Sequence, residues 1–416
     1  MSEKKNVPKL RFPEFTEPWE QRKLGEISDK VTKKNQDVVV DEVFTNSAEY
    51  GIISQRDFFD KDIANTENID GYYVVEPNDF VYNPRISTTA PFGPIKRNKL
   101  ERSGAMSPLY YVFRPNNVDL SYLEWFFQTS CWYPFMRFNG NSGARSDRFA
   151  ITDKIFNEMP ISLPQDIEEQ KRIGIFLTTL DTLITLHQRK LDHVKDLKKS
   201  MLQKMFPKNG QLYPEVRFPE FTDAWEQRKL GEICERITRK NKGNESDLPL
   251  TIASQYGLID QRDFFNKVVA AKDMTNYYLL KKGEFAYNKS YSNGFDYGSI
   301  KRLNEYEKGC LSTLYVCFDI TSDEVDSDYL ECFFDTLNWY HDVATICAEG
   351  ARNHGLLNVD VKAFFTDVKI SLPLQKEEQK RITECFQQVD TLITLHQREL
   401  DHLKLLKKGM LQQMFV

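Results

Sequence analysis

The 416-residue chain is 40% hydrophobic and 28% charged, a composition typical of globular proteins. Its formal net charge of −5 at pH 7 excludes a chain that is basic over its whole surface. No apolar run is long enough to span a bilayer, the first residues form no secretory signal, and the seven cysteines form no CxxC pair. We therefore expect a cytoplasmic protein without a membrane partner, a disulfide frame or a metal site.

One frame occurs twice in the sequence. Residues 11–27, RFPEFTEPWEQRKLGEI, recur at 217–233 with 15 of 17 positions identical. Residues 181–206 recur at 390–415 with 21 of 26 positions identical, whereas the residues between these segments agree only at scattered landmarks. The repeat predicts two similar halves, each long enough to bury its own core.

The first half begins with a predicted α+β domain over residues 1–160. Short β-like runs occur at 72–82 and 109–113, and YLEWFF at 122–127 has a helical pattern. Between Tyr82 and Arg114, six basic residues accompany a single acid, so we expect a locally positive face on an acidic chain. The six are Arg85, Lys96, Arg97, Lys99, Arg102 and Arg114.

A long central helix is predicted over residues 161–208. The segment ISLP at 161–164 precedes it, the acids Glu168 and Glu169 suit its amino-terminal dipole, and no glycine or proline interrupts 175–206. Apolar residues from Ile173 onward follow the alternating four-three spacing of a coiled-coil seam.

The second half repeats this plan, with a domain over 209–369 and a carboxy-terminal helix over 370–416. YLECFF at 329–334 echoes the helical pattern of the first domain. Between Lys281 and Arg302, five basic residues accompany only Glu284 and Asp296.

The apolar stripes of the two long helices predict that the helices pair. Neither helix can bury its stripe alone, and a pseudo-twofold duplication would pair them as an antiparallel coiled coil. The other interpretation is that each stripe packs on its own domain. We interpret the two seam histidines as a polar layer that fixes register rather than as metal ligands. The predicted seam positions are Leu177, Leu180, Ile184, His187 and Leu191 on the first helix and Phe386, Val389, Ile393, His396 and Leu400 on the second.

Three short motifs occur at equivalent positions in both domains. QRDFF occurs at 55–59 and 261–265, and we interpret its aromatic residues as core. Two further landmarks are the triplets Ile-Lys-Arg at 95–97 and 300–302 and Gly-Ala-Arg at 143–145 and 350–352. A glycine-containing loop that presents an arginine suits a phosphate or a base edge.

Between the landmarks the loops differ, and if both domains bind nucleic acid, this difference would let them read two different sequences. Residues shared by both domains cannot distinguish two sequences, so they would position the DNA backbone, and the divergent loops would read bases. The predicted DNA-binding residues are Arg85, Ser87, Thr88, Lys96, Arg97, Arg145, Ser146 and Arg148 in the first domain and Lys289, Tyr291, Ser292, Asn293, Lys301, Arg302, Arg352, Asn353 and His354 in the second.

No catalytic motif is convincing in this sequence. There is no GxxxxGK[ST] loop and no G-x-G-x-x-G loop after a strand. Asn83-Pro84-Arg85-Ile86 lacks the second proline and the aromatic of an amino-methyltransferase NPP[YF] motif. Asp166 with Glu169-Gln170-Lys171 imitates a nuclease pattern, but it lies at a helix start and the aspartate is replaced by Gln375 in the second half. We therefore expect a non-catalytic chain.

Three motifs in duplicate resemble one family. They are WEQRKLGEI at each domain start, the ISLP turn followed by EEQKRI, and the DTLIT…KK…MLQ…MF helix. Together, and over nearly the whole chain, they resemble the specificity subunit of type I restriction-modification systems.

The resemblance implies a DNA-reading subunit of a larger complex. Each target-recognition domain would read one half of a split double-stranded DNA site, and the paired helices would set the spacer and hold two methyltransferase subunits. Restriction/translocase subunits would join that core. The complex would use S-adenosylmethionine, ATP and Mg²⁺, and none of these would be bound by this chain.

Two other classes remain open at the level of sequence. One is a duplicated coiled-coil scaffold whose domains bind protein or carbohydrate, which would not be retained on duplex DNA in a salt-sensitive way. The other is a self-contained methyltransferase or nuclease. Binding of S-adenosylmethionine by the isolated chain would favour the methyltransferase.

Overall fold

The computed structural model describes residues 6–58, 69–142, 147–208, 210–253, 257–265, 270–271, 273–290, 294–347 and 357–416. The chain forms two compact units, of which unit 1 comprises 1–188 with 398–416 and unit 2 comprises 189–397. These units divide the chain within the long helices. The division predicted from the sequence, at residues 160, 208 and 369, therefore stays a prediction.

The domain of unit 1 is built from short antiparallel strands and four short helices. Its central sheet has four strands in the order β2-β9-β6-β7, and the pairs β1-β12, β3-β4, β5-β8 and β10-β11 surround it. The strands are β1 Glu20–Lys23, β2 Ser28–Lys30, β3 Phe44–Ser47, β4 Gly51–Ser54, β5 Tyr73–Val75, β6 Phe80–Tyr82, β7 Ile95–Arg97, β8 Gly104–Met106, β9 Tyr111–Pro115, β10 Asn141–Ser142, β11 Phe149–Ala150 and β12 Pro160–Leu163. The helices are α1 Gln55–Phe58, α2 Leu120–Phe126, α3 Tyr133–Asn139 and α4 Asp153–Asn157, and two 3₁₀ turns lie at Leu24–Glu26 and Gln36–Val38.

The first long helix, α5, covers Ile167–Lys204 without a break. Its beginning belongs to unit 1 and its end to unit 2.

The domain of unit 2 repeats the same order of elements. Its four-stranded sheet has the order β14-β21-β18-β19, with the same strand connections as the first domain. The strands are β13 Glu226–Lys229, β14 Cys234–Ile237, β15 Leu250–Ala253, β16 Gly257–Asp260, β17 Tyr278–Lys281, β18 Phe285–Asn288, β19 Ser299–Arg302, β20 Lys308–Leu311, β21 Val316–Ile320 and β22 Lys369–Leu372. The helices are α6 Leu230–Ile233, α7 Gln261–Phe265, α8 Ser327–Asp335, α9 Tyr340–Ile346, α10 Val361–Asp367 and the second long helix α11, Lys376–Gln413.

The predicted α+β class with two long helices is confirmed, and the helices run antiparallel within each unit. In unit 1, Asp181 of α5 pairs with Lys407 of α11, and His187 lies 3.0 Å from Glu399. In unit 2, Lys198 of α5 pairs with Asp390 of α11 at 2.7 Å. The predicted seam positions on both helices are all buried or half-buried, as a shared stripe requires.

Each unit buries the end of the helix that starts in the other half of the sequence. Phe415 is 5% exposed and lies against Tyr122 and Phe126 in the core of unit 1. Phe206 is 1% exposed and lies against Tyr329 and Trp225 in the core of unit 2. The carboxy end of the chain is rich in methionine and leucine. Its Met414 is nevertheless only 3% exposed, because the core of unit 1 covers it.

The EEQ motif at each helix start has a structural role. The buried carboxylate of Glu169 accepts hydrogen bonds from Arg11 at 2.6 and 2.7 Å and from the Trp19 indole at 3.2 Å. The Gln170 side chain accepts from the backbone N–H of Asp119 at 2.9 Å and donates to the Pro164 carbonyl at 2.8 Å. The Glu169 carboxylate is therefore engaged in buried structural contacts.

Among the described residues, no helix combines the length and the apolar composition that a bilayer crossing needs.

Candidate DNA interface

In unit 1 the loop between β6 and β7 is held by one asparagine and one glycine. The Asn83 side chain accepts the backbone N–H of Arg85 at 3.0 Å and donates to the Asn46 carbonyl at 2.8 Å. Gly93 has a φ of +82°, and a Cβ there would lie 2.0 Å from the Asn83 carbonyl oxygen. Only glycine fits this close turn, so the loop enters and leaves the sheet at fixed points.

A strand-like segment supports the same loop from the side. The Phe149 N–H donates to the Pro84 carbonyl at 2.8 Å, and the Ile86 N–H donates to the Asp147 carbonyl at 2.9 Å. Arg85 and Arg148 face each other in the resulting bridge. Two arginines from distant parts of the sequence therefore meet at the base of one loop.

Unit 2 builds the corresponding loop, between β18 and β19, with the same contacts. Asn288 accepts the N–H of Ser290 at 3.0 Å, and Gly298 has a φ of +83° with its Cβ position 2.1 Å from the Asn288 oxygen. The Leu357 N–H donates to the Lys289 carbonyl at 2.9 Å, as Phe149 does to Pro84. The loop frame is thus shared, while the residues that it carries differ between the domains.

The predicted contact residues on the first loop are accessible. Arg85, Ser87 and Thr88 are exposed, and Arg148 is half-buried. Most of the six basic residues between Tyr82 and Arg114 form ion pairs with acidic residues of the same unit. Arg102 pairs with Glu42, Arg114 with Asp79, and Lys99 with Glu124. Within the described part of the chain, Arg85 has no acid at ion-pair distance. The free positive charge therefore lies on the loop.

The Ile-Lys-Arg triplets have partners within the protein, and their predicted contact with DNA stays a prediction. In unit 2, Lys301 pairs with Asp335 at 2.7 Å, and Arg302 pairs with Asp328 and with Glu331 at 3.1 Å. In unit 1, the matching Arg97 lies 3.7 Å from Glu124 and donates to Asn78. These side chains tie the edge strand to a helix, so sheet packing accounts for their repetition without DNA contact.

Lys96 and Lys301 occupy equivalent positions in different surroundings. Burial lowers the pKa of Lys96, an effect that Glu124 opposes and that Lys99 and Lys407 reinforce. Burial also acts to lower the pKa of Lys301, but the charge and hydrogen bond of Asp335 outweigh it and the pKa is raised. The residue that matches Asp335 in unit 1 is Gln128, which is exposed.

On the second loop, Lys289 is half-buried and close to another cation. Burial, together with the positive charge of Arg236, lowers the pKa of Lys289. Arg236 is exposed on β14. The sequence did not indicate it as a site residue, because the strand order of the sheet, and not proximity in the chain, brings it near the loop.

Eight predicted contact residues fall on parts of the chain outside the described residues. They are Arg145, Ser146, Tyr291, Ser292, Asn293, Arg352, Asn353 and His354.

The interpretation of the QRDFF aromatics as core residues was wrong. Phe264 and Phe265 are 47% and 42% exposed, and Phe58 is 40% exposed. They lie on α7 and α1, each of which directly follows a two-stranded hairpin. Packing into a core therefore does not explain why both domains have this motif, and the polar Gln-Arg-Asp before the rings was the signal against burial.

Exposed leucines recur on the long helices. Leu183 and Leu186 of α5 are 40% and 45% exposed, and the matching Leu392 and Leu395 of α11 are 47% and 49% exposed. These four leucines lie outside the predicted seam, and the heptad pattern did not predict their exposure. Apolar surface repeated on both helices is typical of a face that a partner protein covers.

Two α+β domains therefore share one loop frame, differ in the sequence of that loop, and are each followed by a long helix. The family model described as the type I restriction modification DNA specificity domain matches residues 16–196. The chain is also 25% identical over 276 residues to the type I restriction enzyme MjaVIII specificity subunit of Methanocaldococcus jannaschii. That alignment covers 62% of this chain and 61% of the relative, so the chain spans about three-fifths of the relative's length.

Solved structures have the same fold. The type I restriction-modification S subunit from M. genitalium matches with a TM-score of 0.56 at 13% identity, over 99% of each chain. A chain from a structure on complex assembly and conformational transition of the type I R-M system matches with a TM-score of 0.52 at 15% identity, over 95% of this chain and 97% of that one. These comparisons agree with the resemblance seen in the sequence: residues 16–196 match the specificity-domain model, and the solved structures share the fold of the chain.

Proposed function

We propose that this chain is the DNA sequence-recognition subunit of a type I restriction-modification complex and reads a split site. Each domain would read one half-site with the loop between its sixth and seventh sheet-forming strands, β6–β7 in unit 1 and β18–β19 in unit 2. The observation that carries the proposal is the shared loop frame, whose loop sequence differs between the domains and whose described residues Arg85, Ser87 and Thr88 are exposed in unit 1. A common frame supports a common way of meeting the duplex, and different tips support different base sequences.

Within this proposal the loop cations have distinct roles. Arg85 and Arg148 meet at the loop base and would contact phosphate or a guanine edge, because an arginine can donate to either in a bidentate way. Ser87 and Thr88 would read bases from the exposed tip. Lys289 and Arg236 would form the corresponding positive pair in unit 2. Lys96, Arg97, Lys301 and Arg302 are assigned to packing.

The helices would serve two purposes in the complex. As an antiparallel pair they would set the spacer between the half-sites, since both domains must meet the groove at a fixed distance and rotation. The exposed Leu183, Leu186, Leu392 and Leu395 would dock two methyltransferase subunits. Restriction/translocase subunits would then join the complex.

We propose that the chain itself is non-catalytic and cytoplasmic, and that S-adenosylmethionine, ATP and Mg²⁺ bind to its partners. The scaffold alternative, with protein or carbohydrate ligands, is not favoured by the comparisons.

The deciding experiment is sequencing of adenine methylation in cells with and without this gene, with the methyltransferase subunit present. A bipartite motif that disappears on deletion supports the proposal and gives both half-sites and the spacer. Methylation that is unchanged by deletion while the methyltransferase is expressed contradicts it.

A domain exchange sharpens the result. Replacing residues 28–160 with the corresponding segment of another specificity subunit should change one half-site only. Changes in both half-sites would contradict independent reading by the two domains.

A further inference from the structure

The segment before each domain, here called the strap, contacts both long helices of its unit. The strap covers residues 10–19 in unit 1 and 216–225 in unit 2. In unit 1 the Leu10 N–H donates to the Gln413 carbonyl at 3.0 Å, at the end of α11, and Arg11 bonds Glu169 in the first turn of α5. The strap thus joins the beginning of one helix to the end of the other.

The contact with α5 is directional. Two guanidinium donors of Arg11 and the indole N–H of Trp19 bind one carboxylate, that of Glu169, which is 1% exposed. Three donors from fixed directions hold a carboxylate in one orientation, and the carboxylate holds the rotation of the helix turn that carries it.

The strap continues along one face of α5. Arg172 pairs with Glu14 and lies over the Phe12 ring at 5.1 Å, and Phe12 meets the Phe176 ring edge-on at 6.1 Å. Residues 169, 172 and 176 are spaced three and four apart, so they share a helix face.

Unit 2 repeats this arrangement except for the ring contact of Phe176, whose place is taken by Cys385. Arg217 bonds Glu378 at 2.7 and 2.9 Å, and the Trp225 indole donates to the same carboxylate at 3.2 Å. The Val216 N–H donates to the Lys204 carbonyl of α5 at 2.9 Å. Arg381 pairs with Glu220 at 2.7 Å and lies over the Phe218 ring at 4.8 Å. Contact with two helices at once explains why this segment is nearly identical in the two halves.

The apolar seam by itself is a weak selector of register. Apart from the polar layer of His187 and His396, its residues are leucine, isoleucine, valine, phenylalanine and methionine. A slip by one heptad therefore again places apolar residues against apolar residues over most of the seam. Methionine near the helix ends adapts to altered neighbours. Such a slip would displace the Gln413 carbonyl by roughly 10 Å along the helix and break its bond to Leu10. A buried directional contact is the kind of element that fixes register.

We propose that the strap selects the register of the paired helices, and that Arg11 and Arg217, with Glu169 and Glu378, are positioning residues that fix the spacer between the two DNA half-sites. This inference rests on the proposed function, because helix register sets the spacer only if each domain reads one half-site.

The test variant is Arg217→Met combined with Glu378→Gln. The glutamine still accepts from Trp225 and methionine fills the space of the arginine, so the charges are removed together and the fold is retained. In the methylation experiment we expect the ratio of off-length to native-length spacers to rise about tenfold or more, with both half-site sequences unchanged. Arg217→Lys, which keeps the charge but loses the bidentate geometry, should give an intermediate ratio.

The matched control is Arg22→Met. Arg22 belongs to the same repeated frame but is only half-buried, and it pairs with the exposed Glu26 at 3.3 Å. This variant should keep the native spacer distribution. A purely structural role of the strap would lower methylation at all sites equally, and an unchanged spacer distribution in the double variant overturns the proposal.

A second measurement decides the register without DNA. Spin labels at the exposed positions Lys195 and Thr394, on the two helices within unit 2, should give one distance in the native chain and a second distance in the double variant. A single unchanged distance in the variant overturns the inference. If native cells lack a bipartite methylation motif, the proposed function fails, whereas this distance measurement still reports on the strap.

Discussion

The two units have the same frame and differ in how they neutralise an equivalent lysine. Arg11–Glu169 and Arg217–Glu378 agree to within tenths of an ångström because each strap must fit two helices. In contrast, Lys301 has Asp335 as a partner, whereas Lys96 has Gln128 at that position. Residues that must contact both long helices are therefore the same in the two units. Residues that contact only their own domain differ between the units.

The largest effect is expected from breaking the frame. Glu378→Ala leaves the guanidinium of Arg217, 13% exposed, without its carboxylate, so we expect a loss of about 3–5 kcal/mol in the free energy of unfolding. Glu169→Ala should cost the same in unit 1, because its contacts are the same. Urea denaturation of both variants measures this, and a loss in only one unit would contradict the equivalence of the frames.

A smaller effect is expected from Asp335→Asn in unit 2. Lys301 would lose its charged hydrogen-bond partner in a buried position, which costs about 1–3 kcal/mol. The Lys301 pKa is raised, so the native pair stabilises the fold below the unfolded lysine pKa, and this stabilisation is lost as the pH rises through the folded pKa. The difference between native and variant stability should therefore shrink at high pH. A pH-independent difference would argue against an ionic origin.

The reverse change in unit 1 is Gln128→Asp, which supplies Lys96 with the partner that Lys301 has. We expect a gain of up to about 1 kcal/mol, because the new carboxylate starts from an exposed position.

The pH dependence at Lys96 has the opposite sign to that at Lys301. The Lys96 pKa is lowered by burial, so its protonated form costs stability at neutral pH, and this cost falls as the pH rises from the folded pKa toward the unfolded one. Lys96→Met should therefore stabilise the chain more at pH 7 than at about pH 10. Equal effects at both pH values would show that Lys96 carries no such penalty.

A separate effect, on DNA binding and not on stability, distinguishes the loop arginine from the arginines paired within the domain. Arg85→Ala should weaken duplex binding by about 1–3 kcal/mol without changing stability, because this exposed side chain has no acid partner among the described residues. Arg102→Ala, which removes an arginine paired with Glu42, is the matched control and should leave binding nearly unchanged. Binding titrations at two salt concentrations distinguish the two, and equal losses would contradict the role assigned to the loop.

Much of the fold could be predicted from the sequence. The duplicated motifs, the heptad pattern and the ISLP turns predicted two α+β domains and two long antiparallel helices, and the helices cover Ile167–Lys204 and Lys376–Gln413. Periodicity is local information, so a single sequence contains it. The candidate site was predicted less well. The loop with Arg85 could be inferred from divergence between the halves, whereas Phe58, Phe264 and Phe265 were assigned to a core that does not contain them.

The sequence by itself determined the repeat, the class of each element and the family resemblance, because these depend on residue order and spacing. Only the tertiary structure decided which charges are free. Lys301, Arg302, Arg102 and Arg114 look as available in the sequence as Arg85, yet each has an acidic partner from another element. Ion pairing depends on distances of a few ångströms between residues far apart in the chain, and the fold alone sets those distances.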